Sequence, residues 1–317
     1  MTTILPTISD ITRAHERIKP FAHYTPVLFS SSINKMLGVE VFFKCENFQK
    51  VGAFKFRGAC NAVYSLSGKT VVNGVATHSS GNHAAALALA ASMKGIKSYI
   101  VMPENAPQIK KNAVAEYGGI ITFCKPTLQA REDTLNNIVQ QTHAAVVHPY
   151  NNFDVVCGQG TATIELEEQV KNIDAVFTPV GGGGLLSGTA IAAKSLIPGV
   201  EIYAGEPEGA DDASKSFISR TFVPAQNPKT IADGLLTSLG DIAFALIMNN
   251  QISNIFTVTE EEIIFAMRLI WERMKIIIEP SSAVPFASLI KNKQHFQGKR
   301  VAIILSGGNV DLNKLPF

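Results

Sequence analysis

Ala175-Val176-Phe177-Thr178-Pro179-Val180-Gly181-Gly182-Gly183-Gly184-Leu185 reads as an apolar strand that runs through four glycines into the start of a helix. Without a Cβ in the way, such a backbone can turn its N–H groups inward. A strand, a glycine run and a helix start together then form a phosphate cradle. A tight, close-packed turn accounts for the same residues equally well. Outward from this stretch, strand-like apolar runs at 41–44, 74–78, 98–102, 120–124, 175–180, 201–205 and 301–305 alternate with longer helical patterns. That alternation predicts right-handed βαβ units and an α/β fold with a mostly parallel sheet.

Three further segments carry candidate chemistry. In Lys50-Val51-Gly52-Ala53-Phe54-Lys55-Phe56-Arg57-Gly58-Ala59, Lys55 stands between two phenylalanines where a helix starts after a Gly-Ala turn. A lysine that loses hydration can be held as a neutral amine, a nucleophile that forms a Schiff base with a carbonyl. The ordinary alternative is a side chain that lays its stem on apolar surface and keeps its charge in water. In Ala76-Thr77-His78-Ser79-Ser80-Gly81-Asn82-His83, hydroxyls, an amide and helix-start N–H groups suit a carboxylate, although a plain Ser/Asn helix cap is the simpler reading. Val301-Ala302-Ile303-Ile304-Leu305 runs directly into Ser306-Gly307-Gly308-Asn309, as a buried parallel strand ending at a site would.

The composition is that of a globular chain with a sizeable core: 317 residues, 46% hydrophobic and 17% charged. A net charge of +2, with basic residues scattered, leaves no footprint for nucleic acid and points to a small-molecule partner. Cys45, Cys60, Cys124 and Cys157 lie far apart without metal-ligand spacing, which argues against zinc or a disulfide framework. No basic leader, targeting segment or membrane-length apolar run is present, so a cytoplasmic location is expected.

Taken together, these segments resemble the tryptophan-synthase-β-like family of pyridoxal-phosphate enzymes, within it the serine racemases and serine/threonine dehydratases. The resemblance extends through Thr25-Pro26-Val27, Glu46-Asn47-Phe48-Gln49, Gly158-Gln159-Gly160-Thr161, Ile231-Ala232-Asp233-Gly234 and Glu279-Pro280 to Ser306-Gly307-Gly308-Asn309-Val310-Asp311. It implies a two-domain, three-layer αβα architecture of fold type II, with residues 69–151 as a small domain inserted into a large one of 1–68 and 152–317. It further implies pyridoxal phosphate joined to Lys55, its phosphate on Gly181, Gly182, Gly183, Gly184 and Leu185, and its ring nitrogen on Ser306. Asn82 would meet the ring hydroxyl and Phe54 pack on the ring. A serine at that nitrogen makes a weaker electron sink, which disfavours transamination. Substrate would lie on Ser79, Ser80, Asn82 and His83. Lys55 would take the Cα proton on one face, and Ser80 would serve the other in racemisation.

The resemblance thus implies a homodimeric serine racemase with dehydratase activity on serine and threonine, or primarily a dehydratase. Glu206-Pro207-Glu208-Gly209-Ala210-Asp211-Asp212 reads by itself as a solvated acidic turn. By resemblance, Glu206, the Ala210 carbonyl and Asp212 would bind Mg²⁺, or Mn²⁺ or Ca²⁺. Lys50, Tyr117, Lys275 and Asn309 match positions that bind ATP in the eukaryotic racemases, but Val51 and Ala85 stand where those enzymes often carry a hydroxyl and an amide. Tyr150 occupies a position that is asparagine in mammalian racemases and aromatic in many dehydratases. The chain runs six residues past Asp311, so a regulatory domain and feedback by isoleucine are not expected. Two rival readings remain open here. Gly182, Gly184, Gly188 and Glu206 imitate a dinucleotide fingerprint, as in an NAD-binding oxidoreductase. A non-catalytic ligand-binding relative would be expected to have lost Lys55 or the serine loop.

Overall fold

The computed structural model describes residues 3–79 and 81–317. Its strands are β1 (Val27–Leu28), β2 (Glu40–Cys45), β3 (Val75–His78), β4 (Ser98–Pro103), β5 (Ile120–Cys124), β6 (Ala145–Val146), β7 (Ala175–Pro179), β8 (Glu201–Pro207), β9 (Asn254–Val258) and β10 (Arg300–Leu305). They form a six-stranded sheet of order β1-β2-β10-β7-β8-β9 and a four-stranded sheet of order β5-β4-β3-β6. Only β1 pairs antiparallel; every other neighbour is parallel.

All seven strands expected from apolar runs form, with ends shifted by at most two residues. β1, β6 and β9 were not expected. β1 and β6 are two-residue strands, too short to show a pattern, and β9 is an edge strand whose mixed run Asn-Ile-Phe-Thr-Val buries only two of its five side chains.

Helices cover both faces of the large sheet, and β10 shows why its sequence is apolar throughout. Val301, Ile303 and Leu305 pack into one core with Phe43 and Phe177, while Ala302 and Ile304 pack into another with Val176, Ile202 and Ala204. The small sheet divides its side chains in the same way: Val75, Ile100 and Met102 face one cluster, Ala76 and Val101 the other. A strand buried on both faces has no polar alternation to display.

Beneath the helix Lys55–Ser65 lies a charged hub closed to solvent. Arg57 is fully buried; its Nε and Nη2 donate to Glu46 at 2.7 and 2.8 Å, and its Nη1 and Nη2 donate to Glu165 at 2.6 and 2.8 Å. Lys44 Nζ donates to Glu165 at 2.7 Å and to the Thr25 carbonyl at 2.7 Å, and Thr25 Oγ1 donates to Glu46 at 2.6 Å. Burial pushes the Glu165 carboxyl up, yet Arg57 and then Lys44 bring it below its ordinary value. The Thr25 and Glu46 strings of the sequence are therefore structural: they bind β1, β2 and two helices into one base.

Removing one member leaves its partners charged and buried. Glu165→Ala is expected to cost about 3–5 kcal/mol in urea unfolding. Lys171→Ala, which breaks an exposed pair with Glu167, should cost less than about 0.5 kcal/mol.

Candidate active site

Lys55 opens the helix Lys55–Ser65, and the loop before it is fastened to the end of β10. Ala53 bridges Gly307, and the Phe54 N–H donates to the Ser306 carbonyl at 2.9 Å. This sets Lys55 beside Ser306. The lysine Nζ donates to the Pro149 carbonyl at 2.9 Å and lies 5.1 Å from the centre of the Phe54 ring. Phe56, the other flanking aromatic, turns instead into the core around the small sheet and carries the Lys50 ammonium over its ring at 5.6 Å. Successive helical side chains diverge by about 100°, so two sequence neighbours cannot both flank one amine. Burial pushes the Lys55 amine down to about 8, against the opposing pull of Glu279.

The glycine run leaves β7 and enters the helix Gly184–Leu196. Gly183 has φ +82, and a Cβ on Gly182 would come within 2.2 Å of the Tyr150 ring. All five residues 181–185 are buried, and their N–H groups find no acceptor among the described residues. Buried backbone donors are almost always paired, so a set of open ones at a helix start fits a phosphate.

Opposite this cradle, Ser79 ends β3 with its N–H on the Val101 carbonyl at 3.1 Å, while its Oγ accepts from the Gly81 N–H at 3.4 Å. Ser80 lies outside the described residues. The helix Asn82–Lys94 begins with Gly81 as N-cap. His83 Nε2 is 3.1 Å from the Val147 carbonyl, which can only accept, so Nε2 carries the proton and the buried Nδ1 is a lone pair without a partner. Burial, then the nearby Lys55, pushes this imidazole down to about 3. The ring has no proton to offer a carboxylate; the main-chain N–H of His83, in the first turn, is the donor at that position.

Several residues at the site received no role from sequence reasoning. His148 Nδ1 accepts from the Asn151 N–H at 3.0 Å, its ring meets Tyr150 edge-on at 4.5 Å, and burial, then His78, pushes it down to about 4. Arg131 lies within electrostatic reach of His78 and Tyr150 and forms no ion pair among the described residues. Asp233 forms an ion pair with Lys110 between the two sheet units. Glu279 stands against Asn82. His78, Asp233 and Glu279 all appeared in the quoted strings, but nothing local to those strings shows what they face.

Glu206, at the end of β8, is fully buried; its oxygens accept from the N–H groups of Ala213 and Ser214 at 2.9 and 2.8 Å. Asp212 Oδ2 accepts from Leu239 at 2.9 Å, whereas Oδ1 is buried and unpartnered. A cavity of about 180 Å³ opens beside Ala210 and Asp212. No group of three or more His, Cys, Asp or Glu side chains suited to a metal occurs among the described residues. The orphaned Asp212 oxygen beside this cavity suits a hard, water-bearing cation, whereas Glu206 does not line the cavity and both its oxygens are taken by main-chain N–H groups. The same burial removes Glu206 from any ribose, and Gly188 packs on the Gly160 backbone, so the dinucleotide rival loses its acidic residue.

The candidate nucleotide residues are differently committed. Asn309 Nδ2 donates to the Val51 carbonyl at 2.7 Å and to Asn82 Oδ1 at 3.0 Å, and Lys50 rests on Phe56. Tyr117 packs against the small-sheet core, and Lys275 caps the helix Glu260–Met274.

With this geometry in place, the comparisons define the class: residues 18–307 match the family model for pyridoxal-phosphate dependent enzymes, and the chain belongs to that family. It is 51% identical to serine racemase of Dictyostelium discoideum, over 98% of this chain and 96% of that one. It is 50% identical to β-hydroxyaspartate dehydratase of Paracoccus denitrificans, over 99% of each. A crystal structure of serine racemase from Dictyostelium discoideum superposes with a TM-score of 0.93 at 52% identity, covering 96% of this chain and 99% of that one.

A neutral amine is the nucleophile, so trapping of Lys55 by pyridoxal phosphate and borohydride should follow the amine's titration. Read by mass spectrometry, the adduct is expected to level off just above pH 8 rather than climb toward the ordinary lysine value of 10.5. Gly182→Ala, which drives a methyl into Tyr150, should reduce the adduct sharply.

Proposed function

We propose that the chain racemises serine and also converts hydroxy-amino acids to a 2-oxo acid with net loss of ammonia, through pyridoxal phosphate held at Lys55. The observation that carries this reading is the Lys55 amine, half-buried, with its basicity lowered, held on the Pro149 carbonyl next to the Tyr150 that covers Gly182 and Gly184, and within electrostatic reach of His83. Residues 181–185 would hold the phosphate, Ser306 the ring nitrogen, Asn82 the ring hydroxyl and Phe54 the ring face. When bound, the cofactor supplies an aldehyde for amines and a ring that draws negative charge away from Cα. Ser79, Asn82 and the main chain of His83 orient the substrate carboxylate. Lys55 takes and returns the Cα proton on its own face, and Ser80 does so on the other. Loss of the β-hydroxyl as water instead leaves an enamine, whose imine form is hydrolysed by water to a 2-oxo acid and ammonia.

A second substrate class has a specific observation behind it. Arg131, without an ion-pair partner near Tyr150 and His78, suits a second carboxylate, and a relative at 50% identity is named for β-hydroxyaspartate. Threonine offers nothing to that cation. We further propose that Glu206, the Ala210 carbonyl and Asp212 bind Mg²⁺, that 1–68 with 152–317 and 69–151 are the two domains, and that the enzyme is a cytoplasmic homodimer. The four cysteines are free and buried, which accords with a reducing compartment. No helix among the described residues is long and apolar enough to cross a membrane. ATP finds less support, because the Asn309 carboxamide is already spent inside the protein.

Lys55→Ala should abolish both reactions and the visible cofactor band. Ser80→Ala should stop L-to-D interconversion while leaving 2-oxo acid formation from L-serine measurable; undiminished D-serine production would remove Ser80 from the mechanism. Arg131→Ala should lower kcat/KM for 3-hydroxyaspartate about tenfold or more relative to serine. Equal losses on both substrates would sink the second-carboxylate assignment. Mg²⁺ should raise the Tm of the parent but not of Asp212→Asn.

A further inference from the structure

Glu279 is a buried carboxylate to which the chemistry above gives no part. It is the N-cap of the helix Pro280–Lys291 and only 5% exposed. Its main-chain N–H donates to the Gly307 carbonyl at 3.0 Å, which holds it against the end of β10. Its side chain accepts from Asn82 Nδ2, at 3.0 Å on Oε1 and 3.2 Å on Oε2, and from the Asn309 N–H at 3.2 Å. Asn309 Nδ2 in turn donates to Asn82 Oδ1 at 3.0 Å. The Asn82 carboxamide is therefore gripped at both ends: its nitrogen gives to a group that, ionised, can only accept, and its oxygen receives from an amide donor. This pairing decides which end of the carboxamide is which.

The position of Glu279 matters as much as its bonds. A Cβ on Gly307 would lie 2.8 Å from Glu279 Oε1, so the carboxylate sits directly against the segment that carries Ser306. Asn82 arrives from the small-sheet unit, whereas Glu279, Ser306 and Asn309 belong to the large-sheet unit. Burial, then Asp233, pushes the Glu279 carboxyl up to about 7 against Asn82, Lys110 and the Asn309 N–H, and Lys55 faces it as well. An apolar side chain would serve packing alone at less cost.

We propose that Glu279 is a positioning residue for pyridoxal phosphate: it orients the Asn82 carboxamide toward the cofactor ring and, with Asn309, ties the Asn82 helix to the end of β10. This rests on the cofactor reading of the site given above. Glu279→Gln replaces one carboxylate oxygen by an N–H₂ group, so whichever way the new amide turns, its nitrogen lies against the Asn82 Nδ2 donor, at the place of Oε1 (3.0 Å) or of Oε2 (3.2 Å).

The test is a double-mutant cycle on cofactor affinity. Parent, Glu279→Gln, Asn82→Ala and the double variant are stripped to apoprotein and titrated with pyridoxal phosphate, followed by the visible band of the lysine adduct. The Tm of each apoprotein is measured alongside. Glu279→Gln is expected to raise the Kd about tenfold with an unchanged apoprotein Tm, and the double variant to bind no more weakly than Asn82→Ala alone. Gly307→Ala, which displaces the carboxylate without altering it, should weaken binding in the same direction. Losses that add in the double variant, or a Kd within twofold of the parent in Glu279→Gln, would overturn the positioning role. A parent that takes up no pyridoxal phosphate would overturn the cofactor reading itself, and the inference with it.

Discussion

The backbone contact between residues 53–54 and 306–307 is the constraint from which the rest of the site follows. β10 comes from the end of the chain yet lies between β2 and β7, and its last carbonyl neighbours receive the loop that leads to Lys55. Parallel strands all end on the same edge, so the glycine run after β7, the acidic turn after β8 and the Ser306 segment after β10 emerge together. Ligands of open α/β sheets gather at such an edge. The buried hub of Arg57, Lys44, Glu46 and Glu165 fixes the other side of the Lys55 helix, so the amine is held from both flanks.

Within the cleft, desolvation sets the charge states. His83 and His148 are neutral, the Lys55 amine has lost basicity, and the Glu279 carboxyl has lost acidity. A site with few full charges of its own can accept the phosphate and carboxylate of a cofactor and a substrate without competing counter-ions. Arg131, within electrostatic reach of His78 and Tyr150 and without an ion pair among the described residues, is the exception, and it is the group on which the proposed preference for a diacid over serine rests. The relatives reflect the same division: one is named for racemising serine and one for dehydrating hydroxyaspartate, at nearly equal identity.

The parallel α/β class and seven of the strands were legible from the chain because apolar runs are a local signal, and the lysine and the glycine run stood out for local reasons too, a desolvating neighbour and residues without a Cβ. Family resemblance extended this to Ser306, Asn82 and the acidic turn. Three of the edge strands were not legible, since β9 and the two-residue strands β1 and β6 bury too little to leave a pattern. Which of the two phenylalanines beside Lys55 in the chain approaches its amine was not legible, because the helix turns Phe56 into the core and leaves Phe54 near the amine. What the His83 side chain does was not legible either, since its Nε2–H donates to a main-chain carbonyl far along the chain, that of Val147.

Sequence by itself therefore determined the fold class, most of the strands and which side chains carry titratable or nucleophilic groups, because propensity, periodicity and functional-group chemistry act over a few neighbours. Tertiary structure alone decided what those groups are. Whether an amine is basic, a carboxyl acidic or an amide turned one way depends on burial and on partners far away in the chain, and Glu279, Asn82 and Asn309 acquire a common role only where two sheets bring them within hydrogen-bonding distance.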